Sequence, residues 1–389
     1  ADGTIIAQKM SMYWDAGAYA DYAVNVTRAS GYSCSGPYEV PNAWVDAYTI
    51  YTNKTYGTAY RGFGHVEFSW GLERHMDLVA KTIGMDPLEF RRKNCLKPGS
   101  VTLTGEVIRE NTGNVLKCLN AVAADIGYGT LSPEEQARQQ KSGWKIGKAV
   151  TGLQKAPAMP SHTGTTVLAK MNEDGTVIVN LALTDMGQGT YTSVAQIVAE
   201  TLGFPVERIK VAFECDTDRE PYDWQTVASK GLIMSGNAAI LAAEDLLNKA
   251  YEMAAVALRA NVVDLAHDAD RIYVKHHDDS FVTWPQLALG YAFPNGNGIG
   301  GPLVGLGRYI AQGLSNLDKE TGQGNPALDW TYGAHGLVVE VNETTGEYNI
   351  LQVASAYDVG RAINPGEVRG QALGGMLQGL GTAMCEGYI

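Results

Sequence analysis

The sequence TDMGQGTYTSVAQIVAETLG, residues 184–203, joins a strand pattern to a helix pattern through a turn that contains two glycines. The preceding TVIVNL, residues 176–181, is typical of a strand, and Thr192 or Ser193 is the expected helix cap. Exposed N–H groups at such a turn can bind a phosphate or an anionic cofactor, and Gln188 adds a donor and an acceptor. An ordinary tight turn is the alternative interpretation of the same residues.

Composition limits the possible classes of protein. A chain of 389 residues is long for one domain and sufficient for two, and 45 glycines predict many tight turns. A formal net charge of -12 argues against nucleic acid or an anionic membrane surface as a partner. Five scattered cysteines without a C-x-x-C spacing indicate neither a disulfide framework nor a zinc or iron–sulfur site. With no apolar run of membrane-spanning length, we expect a cytoplasmic protein.

A second glycine-rich turn, AYRGFG at residues 59–64, also precedes a helix pattern. Arg61 in this turn offers a planar set of donors that suits a phosphate or a carboxylate. A surface arginine paired with a glutamate is an equally acceptable interpretation.

Two later segments also combine small residues or glycines with a helix pattern. TVASKGLIMSGNA, residues 226–238, places small residues before a long helix, where several N–H groups can point outward. DVGRAINPGEVRGQALGGMLQGLG, residues 358–381, turns through Asn364-Pro365 into a glycine-rich helix that carries Gln371 and Gln378. Its glycines at helical spacing indicate that another group packs close to the helix backbone.

A polar stretch at residues 129–143 is the predicted domain boundary, which divides the chain into residues 1–135 and 136–389. Strands at 335–341 and 349–358 are predicted to form a hairpin. Asp2-Gly3 is typical of a hairpin turn but has no strand before it, and the last helix has no cap, so we expect a chain truncated at both ends.

In this order and with these separations, AYRGFG, DMGQGTYT, TVASKGLIMSGNA and the glycine-rich helix segment resemble the motifs of one family. That family is the molybdopterin-binding large subunits of xanthine dehydrogenase and aldehyde oxidase, the molybdenum hydroxylases. The resemblance covers nearly the whole chain. It implies an α+β fold of two elongated mixed α/β lobes, with residues 1–135 the latter part of the first cofactor-binding lobe and 136–389 the first part of the second.

The resemblance also implies roles for individual residues. Arg61 is the arginine near the metal, and Phe63 is the aromatic wall of the substrate pocket. The implied cofactor-binding residues are Met186, Gly187, Gln188, Ala228, Ser229, Lys230, Gly231 and Gln371. No side chain is predicted to be a metal ligand. We expect Gln188, Ser229 and Gln371 to approach one another across the boundary between the lobes, because one cofactor must contact all three segments.

The implied activity is hydroxylation of a purine, N-heterocycle or aldehyde with water as the oxygen source. The implied cofactor is molybdenum-molybdopterin in its cytosine dinucleotide or mononucleotide form. Iron–sulfur clusters and FAD are expected only on partner subunits of a hetero-oligomer or dimer. In carbon monoxide dehydrogenases a cysteine would follow the arginine, so Gly62 favours a carbon substrate that becomes hydroxylated.

Two features of the family are not found in the sequence. They are the upstream glycine-rich motif and the catalytic glutamate of a Gly-Glu-Pro-like motif. Glu367 and Glu386 lie in the wrong motif to replace that base, so we expect the catalytic glutamate elsewhere. A non-catalytic cofactor-holding or assembly module of the same fold is the alternative, although the retained Arg61, Gln188 and Gln371 argue against it.

Overall fold

The structure, a computed structural model, describes residues 2–156, 163–213 and 216–387. The helices are, in chain order, α1 (Ala23–Ser33), α2 (His65–Thr82), α3 (Pro87–Asn94), α4 (Val115–Asp125), α5 (Pro133–Gln139), α6 (Thr190–Leu202), α7 (Gly231–Leu258), α8 (Trp284–Leu287) and α9 (Pro365–Met384). The strands are β1 (Gln8–Gly17), β2 (Ala43–Tyr51), β3 (Trp144–Lys155), β4 (Gly164–Met171), β5 (Val177–Asn180), β6 (Ile209–Val211), β7 (Leu265–His267), β8 (Arg271–Val274), β9 (His277–Thr283), β10 (Tyr291–Ala292), β11 (Gly298–Ile299), β12 (Val304–Ile310), β13 (Thr331–Asn342) and β14 (Tyr348–Asp358). The predicted mixture of helices and sheets is confirmed.

The chain forms two compact units. The first contains the described residues of Ala1–Pro160, Gly313–Arg361 and Ala372–Ile389, and the second contains those of Ser161–Gln312 and Ala362–Gln371. The predicted division at 135/136 lies inside the first unit, because β3 pairs along its length with β13. The assignment of residues 1–135 and 136–389 to two cofactor-binding lobes stays a prediction.

The first unit is built on two sheets. Strands β1 and β2 pair in parallel, while β14, β13 and β3 form an antiparallel sheet in that order. Alternate residues of the antiparallel sheet, such as Val150, Ala334 and Ala354, are buried against Leu119 and Val122 of α4. This face and α4 form the core of the unit.

The second unit has its core around a four-stranded sheet of order β12, β4, β5, β6. Helices α6 and α7 pack on it through buried alanines, valines and leucines. At Gly305 and Gly307 of β12, a Cβ atom would collide with the carbonyl oxygens of Ala242 and Ala238. Helix α7 therefore rests directly on the strand backbone, which only glycine permits.

The local predictions are confirmed with shifted boundaries. The strand before the 184–203 motif is β5, the helix after it is α6, and β13 and β14 form the predicted hairpin around Thr345-Gly346. No helix in the described ranges is long and apolar enough to cross a membrane.

Candidate functional site

The turn at residues 184–189, here called the first turn, is closed by a carboxylate of its own. Asp185 accepts hydrogen bonds from the N–H groups of Gly187 (2.8 Å), Gly189 (3.3 Å) and Tyr191 (3.2 Å). Burial opposes the charge on Asp185, but these backbone donors lower its pKa. The prediction of N–H groups open to an external anion is therefore wrong for this helix N-terminus.

The helix start also differs from the predicted cap. Gly189 is the N-cap residue, with a φ of 75°, and α6 begins at Thr190 rather than after Thr192 or Ser193. Gly187 also has a left-handed φ of 105°. Both glycines are needed because L side chains rarely adopt this conformation. A Cβ atom at Gly187 would meet nothing within 4 Å, so space adjoins the backbone there.

The side chain of Gln188 stabilises the first turn by bonding to two backbone groups of the same turn. Its Oε1 accepts from the Met186 N–H (2.6 Å) and its Nε2 donates to the Thr184 carbonyl oxygen (3.0 Å). Both ends of the amide are thus bonded inside the turn, through one of the two Nε2 hydrogens and one of the two Oε1 lone pairs. Met186 is well exposed.

The start of α9 packs against the same turn. Gln371 donates from Nε2 to the Gly187 carbonyl oxygen at 3.3 Å, and a Cβ atom at Gly189 would collide with the carboxylate of Glu367. Asn364 caps the helix by accepting from the Glu367 N–H at 3.1 Å, as expected before a proline at the first helical position. Gln371 is therefore held beside the first turn.

Residues 223–231, here called the second loop, lie beside the first turn as well. The Thr184 N–H donates to Thr226 Oγ1 at 2.9 Å. Gly231 faces Leu183, whose Cδ1 would lie 3.1 Å from an added Cβ atom. Within the loop, Ala228 and Ser229 are consecutive non-glycine residues with φ values of 58° and 57°. Each such residue typically costs about 1–3 kcal/mol, a strain that is common at ligand-binding positions.

The side chain of Lys230 is buried. Its side chain is only 2% exposed and lies 3.5 Å from Asp223, which is also 2% exposed. The ammonium also sits 5.7 Å from the centre of the Trp224 ring. The Lys230 side chain therefore anchors the second loop internally, and the role of Lys230 in cofactor binding stays a prediction that concerns its backbone.

The predicted approach of the three segments is found inside one unit. The first turn contacts the second loop through Thr184 and contacts the start of α9 through Gln371, and the first turn, the second loop and residues 365–371 of α9 all belong to the second unit. This differs from the expectation that they meet across the boundary between lobes. Open space at Gly187, the two left-handed residues of the second loop and the Gln371 amide fit a polar ligand that is held by backbone and amide groups.

Arg61 lies in the first unit, in the turn at residues 60–64, here called the arginine turn. It donates from Nη1 to Gln378 Oε1 at 3.0 Å, and added Cβ atoms at Gly374 and Gly375 would lie 3.6–3.7 Å from the guanidinium. The glycine-rich part of α9 thus makes room for Arg61. The amide of Gln378 is one partner of Arg61 here.

The backbone conformation of Phe63 is set by the same turn. Its N–H donates to the Tyr60 carbonyl oxygen at 2.8 Å, and its φ is 54°. Its ring meets Tyr22 edge-on at a centroid distance of 6.1 Å, and the side chain packs against the core that includes α4. The predicted role of Phe63 as a pocket wall stays a prediction.

His65 follows the arginine turn at the start of α2. Its Nδ1 bonds to the Gly62 carbonyl oxygen at 2.8 Å, whereas its buried Nε2 has no hydrogen-bond partner within the described part of the chain. Burial is the main cause that lowers the pKa of His65 from 6.5 to about 4, and the charge of Lys155 adds to it. His65 is therefore neutral at pH 7, with Nδ1 as a donor.

We expect this buried histidine to make the first unit sensitive to acid. Between pH 6.5 and 4 the unfolded chain binds the additional proton, so stability falls as the pH falls through this range. The loss from pH 7 to pH 5 should be about 2 kcal/mol. Urea unfolding at both pH values should show this loss in the natural chain and a smaller loss in His65→Gln. Equal losses of stability in both proteins would contradict the assignment of this acid sensitivity to His65.

Glu106, Glu367 and Glu386 lie in three different places, and of these Glu367 borders the first turn. Glu106 Oε2 accepts from Trp330 Nε1 at 2.6 Å, and burial raises the pKa of Glu106. Glu367 adjoins Gly189, and Glu386 lies beside Gly381. Among the residues that the structure describes, no three His, Cys, Asp or Glu side chains are grouped so that they could hold a metal ion.

Comparison with known proteins gives the family. Two family models, both described as molybdopterin cofactor-binding domain, match residues 121–389 and 1–95. The chain belongs to the molybdopterin cofactor-binding domain family, as the resemblance of its motifs predicted.

Relatives and solved structures agree with this assignment. The chain is 29% identical to the 6-hydroxypseudooxynicotine dehydrogenase complex subunit gamma of Paenarthrobacter nicotinovorans, over 100% of the chain and 48% of that protein. It is 30% identical to the carbon monoxide dehydrogenase large chain of Hydrogenophaga pseudoflava, over 98% of the chain and 48% of that protein. A crystal structure of the Cu,Mo-CO dehydrogenase in its carbon monoxide reduced state superposes with a TM-score of 0.77 at 26% identity, covering 96% of the chain and 48% of that structure. The chain thus spans about half the length of these relatives.

Proposed function

We propose that the chain is the molybdopterin-binding portion of a molybdenum hydroxylase that acts on a purine, N-heterocycle or aldehyde. The observation that carries this proposal is the convergence of the first turn, the second loop and α9, in a chain of the molybdopterin cofactor-binding family. When bound, molybdenum-molybdopterin supplies a two-electron oxidation in which water is the source of oxygen.

The residues of the chain contribute positioning and hydrogen bonds. The Gln371 amide, together with the backbone of Ala228 and Ser229, would hold polar edges of the pterin or its phosphate, and the open space at Gly187 would accommodate them. The amide of Gln188 would join them. The cytosine dinucleotide and mononucleotide forms of the cofactor are both compatible with such contacts.

The composition of the arginine turn supports oxidation of an organic substrate over carbon monoxide. Gly62 occupies the position where the resemblance implies a cysteine in carbon monoxide dehydrogenases. Its φ is 115°, and an added Cβ atom would lie 2.9 Å from Val66 Cγ2. A cysteine would therefore be strained in this turn.

We further propose that iron–sulfur and FAD-binding subunits or domains accept the electrons and that the complex is cytoplasmic. Two relatives are a complex subunit gamma and a large chain, which supports a multi-subunit assembly. The described cysteines are free thiols, which supports a reducing compartment.

Metal analysis of the whole protein tests the proposal. Protein purified from cells supplied with molybdate should contain molybdenum and a fluorescent pterin oxidation product. Gln371→Leu should reduce the molybdenum content, because Gln371 borders the first turn, whereas Gln312→Leu on the exposed surface of the same unit should not. A natural protein without molybdenum would overturn the proposal.

A measurement of substrate turnover distinguishes a catalytic hydroxylase from a non-catalytic cofactor-holding module. With an artificial electron acceptor, we expect the assembled molybdenum-containing complex, which supplies the catalytic glutamate that this chain is expected to lack, to oxidise hypoxanthine, nicotinate or an aldehyde. Molybdenum without turnover of any of these substrates would favour the non-catalytic cofactor-holding or assembly module instead.

A further inference from the structure

The backbone of the arginine turn is left-handed over three consecutive residues. Gly62, Phe63 and Gly64 have φ values of 115°, 54° and 88°. Glycine adopts this region readily, but a phenylalanine there raises the free energy of the folded chain. Such a conformation persists only where the surrounding structure holds it. Because Arg61 and Phe63 both lie in this turn, the directions of these two predicted site residues depend on that support.

Helix α1 supports the turn on one side. A Cβ atom at Gly64 would collide with the Ser30 hydroxyl and would lie 3.1 Å from the Val26 carbonyl oxygen. The backbone at Gly64 therefore lies directly against α1, which only glycine permits.

Two residues of α9 support the start of the turn. The Tyr60 hydroxyl lies 3.3 Å from the Thr382 hydroxyl, and Arg61 donates from Nη1 to Gln378 Oε1 at 3.0 Å. The two partners are one helical turn apart on α9 and belong to the first unit. These bonds hold side chains at the start of the turn, but they do not hold the peptide group that follows Gly62.

His65 holds that peptide group. Its Nδ1 lies 2.8 Å from the Gly62 carbonyl oxygen, and its own backbone N–H donates to the same oxygen at 3.2 Å. A carbonyl oxygen has two lone pairs, so both are then in use. Because this oxygen only accepts hydrogen bonds, Nδ1 carries the hydrogen of the neutral ring and Nε2 carries the lone pair.

The ring of His65 is itself fixed by burial. It is 5% exposed and meets the Phe68 ring of α2 at a centroid distance of 5.3 Å. Its buried Nε2 has no hydrogen-bond partner in the part of the chain that the structure describes. A buried polar atom without a partner costs free energy, which an apolar residue here would avoid. Local conflicts of this kind are common at functional sites.

We propose that His65 is a positioning residue for the reaction, because its bond to the Gly62 carbonyl oxygen fixes the directions of Arg61 and Phe63 towards the substrate. The inference rests on the proposed function, to which the roles of Arg61 and Phe63 belong. His65 itself does not contact the substrate in this assignment, since its ring is buried and its Nδ1 is already bonded. Without the bond, the peptide group after Gly62 can rotate, and the two neighbouring side chains turn with it.

Two substitutions in the whole molybdenum-containing complex separate the bond from the space that the ring fills. His65→Leu keeps a buried apolar side chain but removes the donor. His65→Asn keeps a donor, because its amide nitrogen is attached to Cγ as Nδ1 is. Since a misplacement of about 1 Å can cost about 100-fold in rate, kcat/KM for a substrate of the natural complex should fall about 10- to 100-fold in His65→Leu. His65→Asn should retain kcat/KM to within about threefold.

Hydrogen exchange measures the turn itself. The Phe63 N–H is bonded to the Tyr60 carbonyl oxygen, and the His65 N–H is bonded to the Gly62 carbonyl oxygen. Mass spectrometry of peptides that cover residues 59–66 should show exchange about tenfold faster in His65→Leu but not in His65→Asn. A histidine that merely filled space would give the opposite order, because leucine fills that space better than asparagine.

Two controls lie further along α2. His75 is exposed, so His75→Leu should change neither kcat/KM nor the exchange of the turn. Met76 is 4% exposed and lies about 16 Å from His65 along the helix, so Met76→Ala should lower stability without altering the turn. The inference is overturned by an unchanged kcat/KM in His65→Leu, by equal impairment in His65→Asn, or by an equal loss of kcat/KM in Met76→Ala.

The outcomes for this inference and for the proposed function are distinct. A natural complex that contains molybdenum and oxidises its substrate, with the same kcat/KM in His65→Leu, would refute the inference alone. A natural protein without molybdenum would refute the proposed function, and equal exchange in the natural protein and His65→Leu would then still overturn the role of His65. Loss of molybdenum in His65→Leu, but not in Met76→Ala, would assign the arginine turn to retention of the cofactor and overturn the role in substrate positioning.

Discussion

Replacing Arg91 with methionine is expected to lower the free energy of unfolding of the first unit by about 3–5 kcal/mol, because a buried carboxylate then loses its cation. Arg91 is 1% exposed and donates from Nε to Glu73 at 2.6 Å and from Nη1 to Asp77 at 2.7 Å. Tyr38 donates to the other Glu73 oxygen at 2.7 Å. The network connects α3 to α2, the helix that follows the arginine turn.

The charges in this network depend on one another. Burial opposes the charge on Arg91, but Tyr38, Glu73 and Asp77 raise its pKa, so the guanidinium stays charged. Burial raises the pKa of Glu73, and the bonds from Arg91 and Tyr38 oppose that rise. We regard the ion pair as the native state, since both Glu73 oxygens accept hydrogen bonds. Without Arg91, Glu73 must take up a proton or remain as a buried unpaired charge.

The neighbouring Arg92 supplies a matched control. It lies on the same helix, is 32% exposed and pairs with the exposed Glu89, so Arg92→Met should cost no more than about 1 kcal/mol. Urea denaturation followed by circular dichroism and tryptophan fluorescence measures both variants. Similar midpoints for Arg91→Met and Arg92→Met would show that the buried network contributes little.

Local elements of the fold could be predicted from the sequence because their patterns are short and periodic. The alternation before residue 181, the apolar spacing within 190–202 and the Thr345-Gly346 turn each depend on neighbouring residues alone. The pairing of β3 with β13 depends on residues far apart in the chain. No local pattern records that pairing, and for this reason the predicted boundary at 135/136 differs from the units of the structure.

In the candidate site, the sequence likewise does not predict which partner each polar group binds. Glycines at 187 and 189 indicate a left-handed turn with outward N–H groups, but they do not indicate which acceptor occupies them. Asp185 fills that place, and its position shortly before a helix start is the signal that could have identified it. The buried pair of Lys230 with Asp223 is not recorded in a local pattern either, because lysines are rarely buried.

Lys230→Met is the second change with a large expected effect, because it leaves the carboxylate of Asp223 buried without its cation. We expect a loss of about 3–5 kcal/mol in the stability of the second unit. Asp223 also accepts from the Thr165 hydroxyl, and its backbone forms a bridge to Thr165 next to β4. The pair therefore fixes both ends of the second loop, between which Ala228 and Ser229 keep their left-handed conformations.

Three variants separate the buried pair from general effects of losing a lysine. Lys249→Met removes a half-exposed lysine from α7, 2.7 Å from Asp245, and should cost no more than about 1 kcal/mol. Adding Asp223→Asn to Lys230→Met removes the unpaired charge and should recover part of the lost stability. If Lys230→Met were no less stable than Lys249→Met, the buried pair would not anchor the loop. A molybdenum content that falls in Lys230→Met and partly returns in the double variant would connect the geometry of the second loop to retention of the cofactor.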